Sequence, residues 1–261
     1  MENYIITNNL SFSYRSEEKP VLSKLELQIP CGAIAAILGE SGIGKSTLLR
    51  LLSGVYSKED HFVGKFEGTI LIDGHEPSAL RGPKNISVMS QNPALLEHLN
   101  IAANISLPCE IAGIEKSQDR CNCLLKSLDL CKKALSRPRE LSGGERTRTA
   151  LARAIITKSR YLFLDEPFSS LDFIKRWKMY GILRKERNPT DMTTILSTHD
   201  IWEAIILANR IYFLQSADGE SKVTCLDNTP PEIDKILPHQ CIKQIQSQVE
   251  EVVETMERIS T

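Results

Sequence analysis

The sequence predicts an α/β fold: buried parallel strands at the core, an antiparallel β subdomain, a helical insert and a C-terminal helix. Three patterns predict it. The N-terminal stretch alternates apolar and polar residues. An unbroken apolar run, IAAILG at 34–39, ends in glycine and leads directly into a helical pattern. Strand and helix patterns then alternate again after a strand-free stretch from about residue 92 to 140.

The elements follow in order. Leu10, Phe12 and Tyr14 share one face of a strand, and LSKLELQIP (22–30) alternates in the same way. With GTILIDG (68–74) these strands predict an antiparallel sheet. IAAILG reads as a strand buried on both faces, and KSTLLRLLSG (45–54) as a helix that stops at its glycine. ISVMS (86–90) is a further buried strand. Helical stretches near 99–113 and 117–130 fill the insert. A helix from 142 to about 158, strand YLFLD (161–165), a helix near 170–187, strand TTILS (193–197), a helix at 200–208 and strand RIYFL (210–214) complete the core.

Composition narrows the function. The chain has 261 residues, 41% hydrophobic and 25% charged, with a net charge of −1. Such a balance gives no bulk attraction to nucleic acid or to an anionic membrane, so no nucleic-acid partner is expected. No apolar run reaches the ~20 residues of a membrane span, and MENYIITNN lacks the basic and apolar regions of a signal peptide. A cytoplasmic location is expected, with any membrane work done through a partner. Seven cysteines are expected as reduced thiols. Cys121, Cys123 and Cys131 are close in sequence, but with no histidine near them they read as small core residues rather than metal ligands.

The chemistry is concentrated in short motifs. GESGIGKS fits G-x-x-x-x-G-K-[ST] between a predicted strand and a predicted helix, which is the context of a P-loop. Gly39, Gly42 and Gly44 let the backbone wrap phosphates with its N–H groups inward. Lys45 neutralises the outer phosphates, the Ser46 hydroxyl is a Mg²⁺ ligand, and Thr47 reaches an inner phosphate; Glu40, Ser41 and Ile43 complete the loop. YLFLDEP ends a buried strand in Asp165, a carboxylate suited to hold Mg²⁺ through water. Glu166 follows, placed to polarise a water that attacks the γ-phosphate; a surface glutamate capping the next turn is the alternative. A second anion-shaped feature follows the insert. LSGGER (141–146) opens a helix with a serine and two glycines, where free N–H groups and the helix dipole favour an anion.

Together these residues resemble the ATP-binding subunit of an ABC transporter. The match runs from about residue 4 to 227: Tyr14, GESGIGKST, Gln91 at the end of a strand, LSGGERTRTALARA (141–154), YLFLDEP, SSLD (169–172) and His199 after a strand. The resemblance implies a P-loop NTPase core of RecA-like type with an antiparallel β subdomain and a helical insert, using ATP and Mg²⁺. It also implies why one chain carries two phosphate-shaped loops. Two copies face head to tail, and Ser142, Gly143 and Gly144 of one close on the γ-phosphate held by the P-loop of the other, in a two-fold interface. It assigns adenine stacking to Tyr14, although the strand pattern is equally that of a core tyrosine. Gln91 is assigned to the Mg²⁺ or the attacking water, Asp172 to the dimer interface, and His199 to the γ-phosphate and the water. Thr147 and Thr149 depart from the common pattern, and no chemistry is expected of them.

The same resemblance implies partners: a second copy of the chain, membrane-spanning permease subunits that dock on the insert, and a solute-binding protein if the system imports. The chain is then peripheral on the inner face of the cell membrane. SQNPALLEHLNIAANISLPCEIAGI, FSSLD and STHDIWEAIILANRI look most like the nitrate/sulfonate/taurine-type importer ATPases. A soluble ATPase of an assembly or repair machine is the alternative. The domain division expected is an ATPase domain over 1–227, with its insert at about 92–140, then a linker and amphipathic helix over 228–261. Apolar residues at 242, 245, 249, 252, 256 and 259 mark that helix. They suit packing on the chain's own core, or docking on a partner.

Overall fold

The computed structural model describes residues 4–17, 19–57, 60, 62–115, 117–186, 192–233, 240, 241, 243 and 245–260. The chain forms two compact units, one of residues 1–81 and 193–261 and the other of residues 82–192.

The first unit holds two sheets. Strands β1 (Tyr4–Tyr14), β2 (Leu22–Pro30) and β4 (Gly64–Ile72) form an antiparallel sheet in the order β2-β1-β4. As the alternation predicts, Leu10 and Phe12 of β1 are buried. Strand β3 (Ile34–Leu38) pairs in parallel with β7 (Thr193–Thr198) on one side and β8 (Arg210–Ala217) on the other. Every residue of β3 and of β7 is buried. For β3 this explains the continuous apolar run, since a parallel strand covered on both faces has no polar side to show; β7, TTILST, buries threonine and serine beside Ile195 and Leu196. Helices α1 (Lys45–Leu52) and α6 (Ile201–Leu207) pack in this unit, α1 on β7 and α6 on β3.

One strand was not legible. Strand β9 (Glu220–Asp227) pairs antiparallel with β8 through Asp218-Gly219, both at positive φ. A two-residue Asp-Gly loop is the signature of a tight hairpin. β9 itself, ESKVTCLD, lies at the sheet edge with none of its residues buried, so it carries no apolar alternation to announce it.

The C-terminal helix α7 (Gln246–Ser260) packs against α6, with Ile245 and Val252 buried. The chain's own core thus takes at least part of the expected apolar seam. Position 242 and residues 234–239 of the expected linker lie outside the described residues.

The second unit pairs β5 (Ile86–Met89) in parallel with β6 (Tyr161–Asp165) and adds α2 (Ile101–Ala112), α3 (Ser117–Ser127), α4 (Gly143–Ile155) and α5 (Phe173–Glu186). The α2 and α3 spans agree with the expected insert helices to within a few residues. Asn100 caps α2 by accepting from the Ala103 N–H at 2.8 Å. Helix α4 is the hub. Its Arg146 reaches Glu97 and the Pro138 carbonyl, Arg148 donates to the Leu128 carbonyl, and Arg153 donates to the Ala94 carbonyl. From the other side Arg120 of α3 donates to the last carbonyls of α4, Ile155 at 3.0 Å and Ile156 at 2.6 Å, and pairs with Glu186 at 2.7 Å. A cation there satisfies orphan carbonyls and complements the negative end of the helix dipole. Among the described residues no helix is long and apolar enough to cross a membrane.

Candidate active site

The first unit builds the loop at 39–44 and what surrounds it. The parallel register matches Leu38 of β3 with Thr198 of β7, so the glycine loop and His199 leave neighbouring strands at the same end of the sheet. The loop has little conformational choice. A Cβ on Gly39 would lie 2.7 Å from the Leu214 carbonyl oxygen, and Gly44, at φ 107°, would drive one to 3.0 Å from Val21 and Leu22. Gly44 then caps α1, whose free N-terminal amides and dipole face the loop. The Lys45 ammonium is folded back and donates to the Gly39 and Glu40 carbonyls, each at 2.8 Å. A cation held by loop carbonyls can exchange them for phosphate oxygens without moving its stem.

Tyr14 lies beside this loop's helix. Its hydroxyl and that of Thr47 are 2.9 Å apart. The ring is half-buried and packs edge-on against Phe12 (5.1 Å between centroids) and Tyr56 (6.2 Å). The ring thus joins an aromatic cluster, as the core reading of Tyr14 expects, while its hydroxyl reaches Thr47 in the helix that follows the loop. Tyr56 was not singled out from the sequence, and no local motif marks it. A cavity of about 530 Å³ next to the loop is lined by Gly39, Glu40 and Ile43, by β8 residues and by Met256 of α7, so the tail helix extends to the back of the loop.

The second unit builds the acidic end. The β5–β6 register matches Met89 with Leu164, which brings Gln91 and the Asp165-Glu166 pair to one end of the two strands. Asp165 is buried. Glu166 adopts φ 44°, a left-handed conformation rare for a residue other than glycine and one that collects at functional sites. Its carboxylate accepts a hydrogen bond from Gln91 Nε2 at 3.1 Å. Ser169 holds the turn beyond it, its hydroxyl donating to the Glu166 carbonyl at 3.2 Å.

In the same unit Ser142 caps α4 and is exposed together with Gly143. Gly144 is tighter, since a Cβ there would meet Leu171 at 3.2 Å. Thr147 carries more than the sequence suggests: its hydroxyl lies 2.6 Å from that of Ser170, tying α4 to the SSLD segment. Thr149 only bonds back to the Glu145 carbonyl, at 2.8 Å. Asp172 is exposed and accepts from the Lys175 N–H at 3.0 Å; the Lys175 side chain, then its amide, hold the carboxyl below the usual range. Of the three clustered cysteines Cys121 is buried, as the core reading expects, whereas Cys123 and Cys131 are exposed and depart from it; among the described residues no group of three metal-binding side chains occurs. Cys109 and Cys121 are buried, and burial raises both thiols.

The likenesses to known proteins agree with this geometry. The family described as ABC transporter matches residues 22–169. The chain is 36% identical over 215 residues to the probable sulfate/thiosulfate import ATP-binding protein CysA of Chlorella vulgaris, covering 81% of this chain and 87% of that one. It is 38% identical over 197 residues to the aliphatic sulfonates import ATP-binding protein SsuB 2 of Rhodococcus jostii, covering 76% and 73%. Among solved structures it is similar to the dimeric MJ0796, a bacterial ABC transporter cassette (TM-score 0.74, 26% identity, 87% of this chain and all of that one). It is also similar to a dimeric post-hydrolysis state of that cassette bound to ADP and Pi (TM-score 0.73, 25% identity, with the same coverage). The chain therefore belongs to the ABC transporter family, as an ATP-binding subunit that hydrolyses ATP to power transport.

Proposed function

We propose that the chain works as a head-to-tail homodimer with two composite ATP sites, docked on membrane-spanning permease subunits at the inner face of the membrane. The observation that carries this reading is the presence of two anion-shaped backbone features in one chain: the Gly39–Thr47 loop and the exposed Ser142-Gly143 helix start. Residues 39–47 would hold the triphosphate, with Lys45 exchanging loop carbonyls for β- and γ-phosphate oxygens and Tyr14 against the adenine. Ser142, Gly143 and Gly144 would meet the γ-phosphate on the partner subunit, with Asp172 at the interface. Mg²⁺ suits the donors available. Ser46, Asp165 and Gln91 offer hydroxyl, carboxylate and amide oxygens, the hard ligands this ion takes, and it relies on one or two carboxylates plus phosphates rather than a protein cage. When bound it would neutralise the charge between the outer phosphates. Glu166 would polarise the attacking water, with Gln91 and His199 holding it in line.

Binding of ATP would close the dimer and hydrolysis would reopen it, a population shift that rests on nucleotide preferring the closed state. The names of the relatives point to import, with a solute-binding protein outside. They make oxyanions of oxidised sulfur, sulfate or a sulfonate, the first cargo class to test. The ATPase domain would end near 227, with the insert at about 92–140 as the permease contact. Affinity capture from detergent-solubilised membranes tests the reading directly. A polytopic membrane protein recovered in stoichiometric amount supports it, and recovery of soluble partners alone, with the chain absent from membranes, overturns it in favour of a cytosolic machine.

A further inference from the structure

The start of α4 already holds an anion of its own. Ser142 Oγ–H donates to Glu145 Oε2 at 2.9 Å, the Ser142 N–H donates to the same oxygen at 2.8 Å, and the Glu145 N–H donates back to Ser142 Oγ at 3.3 Å. A serine hydroxyl has one proton to give, and here a carboxylate has it. Gly143 beside it is open, with nothing within 4 Å of where a Cβ would stand. The Glu145 side chain is thus the group of this chain that stands on the serine an incoming phosphate needs. The Ser142 amide holds the Glu145 carboxyl below its usual range, with the Ser142 hydroxyl, Lys133 and Arg148 acting in the same direction, so it is charged at neutral pH.

We propose that Glu145 is an affinity-setting residue of the composite site: its carboxylate occupies Ser142 in the open protein and must release the hydroxyl, against like-charge repulsion, when the γ-phosphate on the partner subunit arrives. This rests on the head-to-tail dimer proposed above. Glu145 thereby raises the ATP concentration needed for closure, and it recaptures Ser142 when the γ-phosphate leaves, which favours reopening. Two effects of the residue separate cleanly. Glutamine at this position keeps the capping box, because its amide oxygen still accepts from the Ser142 N–H, while the negative charge is gone.

The test uses the full chain carrying Glu166→Gln, so that ATP-bound dimers accumulate, with and without Glu145→Gln. Dimer formation is followed by sedimentation velocity across a MgATP titration at low and at high salt. The expected result is a midpoint about threefold to tenfold lower in the Glu145→Gln protein at low salt, with the gap narrowing at high salt as the repulsion is screened. A purely structural cap would not produce that salt dependence, and an unchanged Tm confirms that the cap is retained. Coincident midpoints with a parent that dimerises overturn the role of Glu145 alone. A parent that stays monomeric in saturating MgATP overturns the head-to-tail reading and this inference with it.

Discussion

Gln91 donates to the Glu166 carboxylate at 3.1 Å, a bond between the second residue beyond β5 and the residue that follows β6. It orients a carboxylate whose backbone is already held at φ 44°. Glu166→Gln is expected to slow phosphate release at least ~100-fold, the scale of a lost general base, while nucleotide still binds. Gln91→Ala leaves the carboxylate but frees it to turn. A loss of about tenfold to a hundredfold is expected, and single-turnover phosphate release measures both.

Arg120 clasps the end of α4. It serves two helix-end carbonyls and the Glu186 carboxylate at once, and both members of the ion pair are mostly shielded from water. Arg120→Ala would strip those carbonyls of a donor and is expected to destabilise the second unit by about 2–4 kcal/mol. Glu186→Gln, which spares the carbonyl bonds, should lose less. Urea denaturation followed by circular dichroism compares the two, and an equal loss from both would assign the effect to the ion pair instead.

Tyr14 separates into ring and hydroxyl. Tyr14→Phe removes the Thr47 contact and keeps the packing on Phe12 and Tyr56, so ATP affinity should change by no more than about threefold to fivefold. Tyr14→Ala removes the stacking face and should weaken ATP by about tenfold or more. Binding of a fluorescent ATP analogue distinguishes them; equal losses would place the energy in the hydroxyl.

At Gly44 a side chain would be strained twice, by φ 107° and by Val21 and Leu22 at 3.0 Å. Gly44→Ala is expected to cost about 1–3 kcal/mol of stability and to lose ATP binding. Gly42→Ala has open space and only its φ of 85° to resist, so thermal melting should rank it as the milder change.

The sequence by itself determined the order of the elements from β1 to β8 and the short motifs of the candidate site. Period-two alternation in β1 and β2, the fully apolar run of β3, and the glycine spacing of 39–44 are local properties, legible one segment at a time. So was the placing of Asp165 and Glu166 where a strand that could only be buried ends. What escaped was whatever depends on a distant neighbour. Edge strand β9 has no apolar face to betray it. Arg120, Arg153 and Thr147 look like ordinary surface residues until folding sets them against the Ile155, Ala94 and Ser170 oxygens. Glu145 draws no notice in the sequence, and only the placed side chain shows its carboxylate accepting from the Ser142 hydroxyl. Hydrogen bonds between residues far apart in the chain are decided by packing over a few ångströms, and no pattern in the chain records such distances.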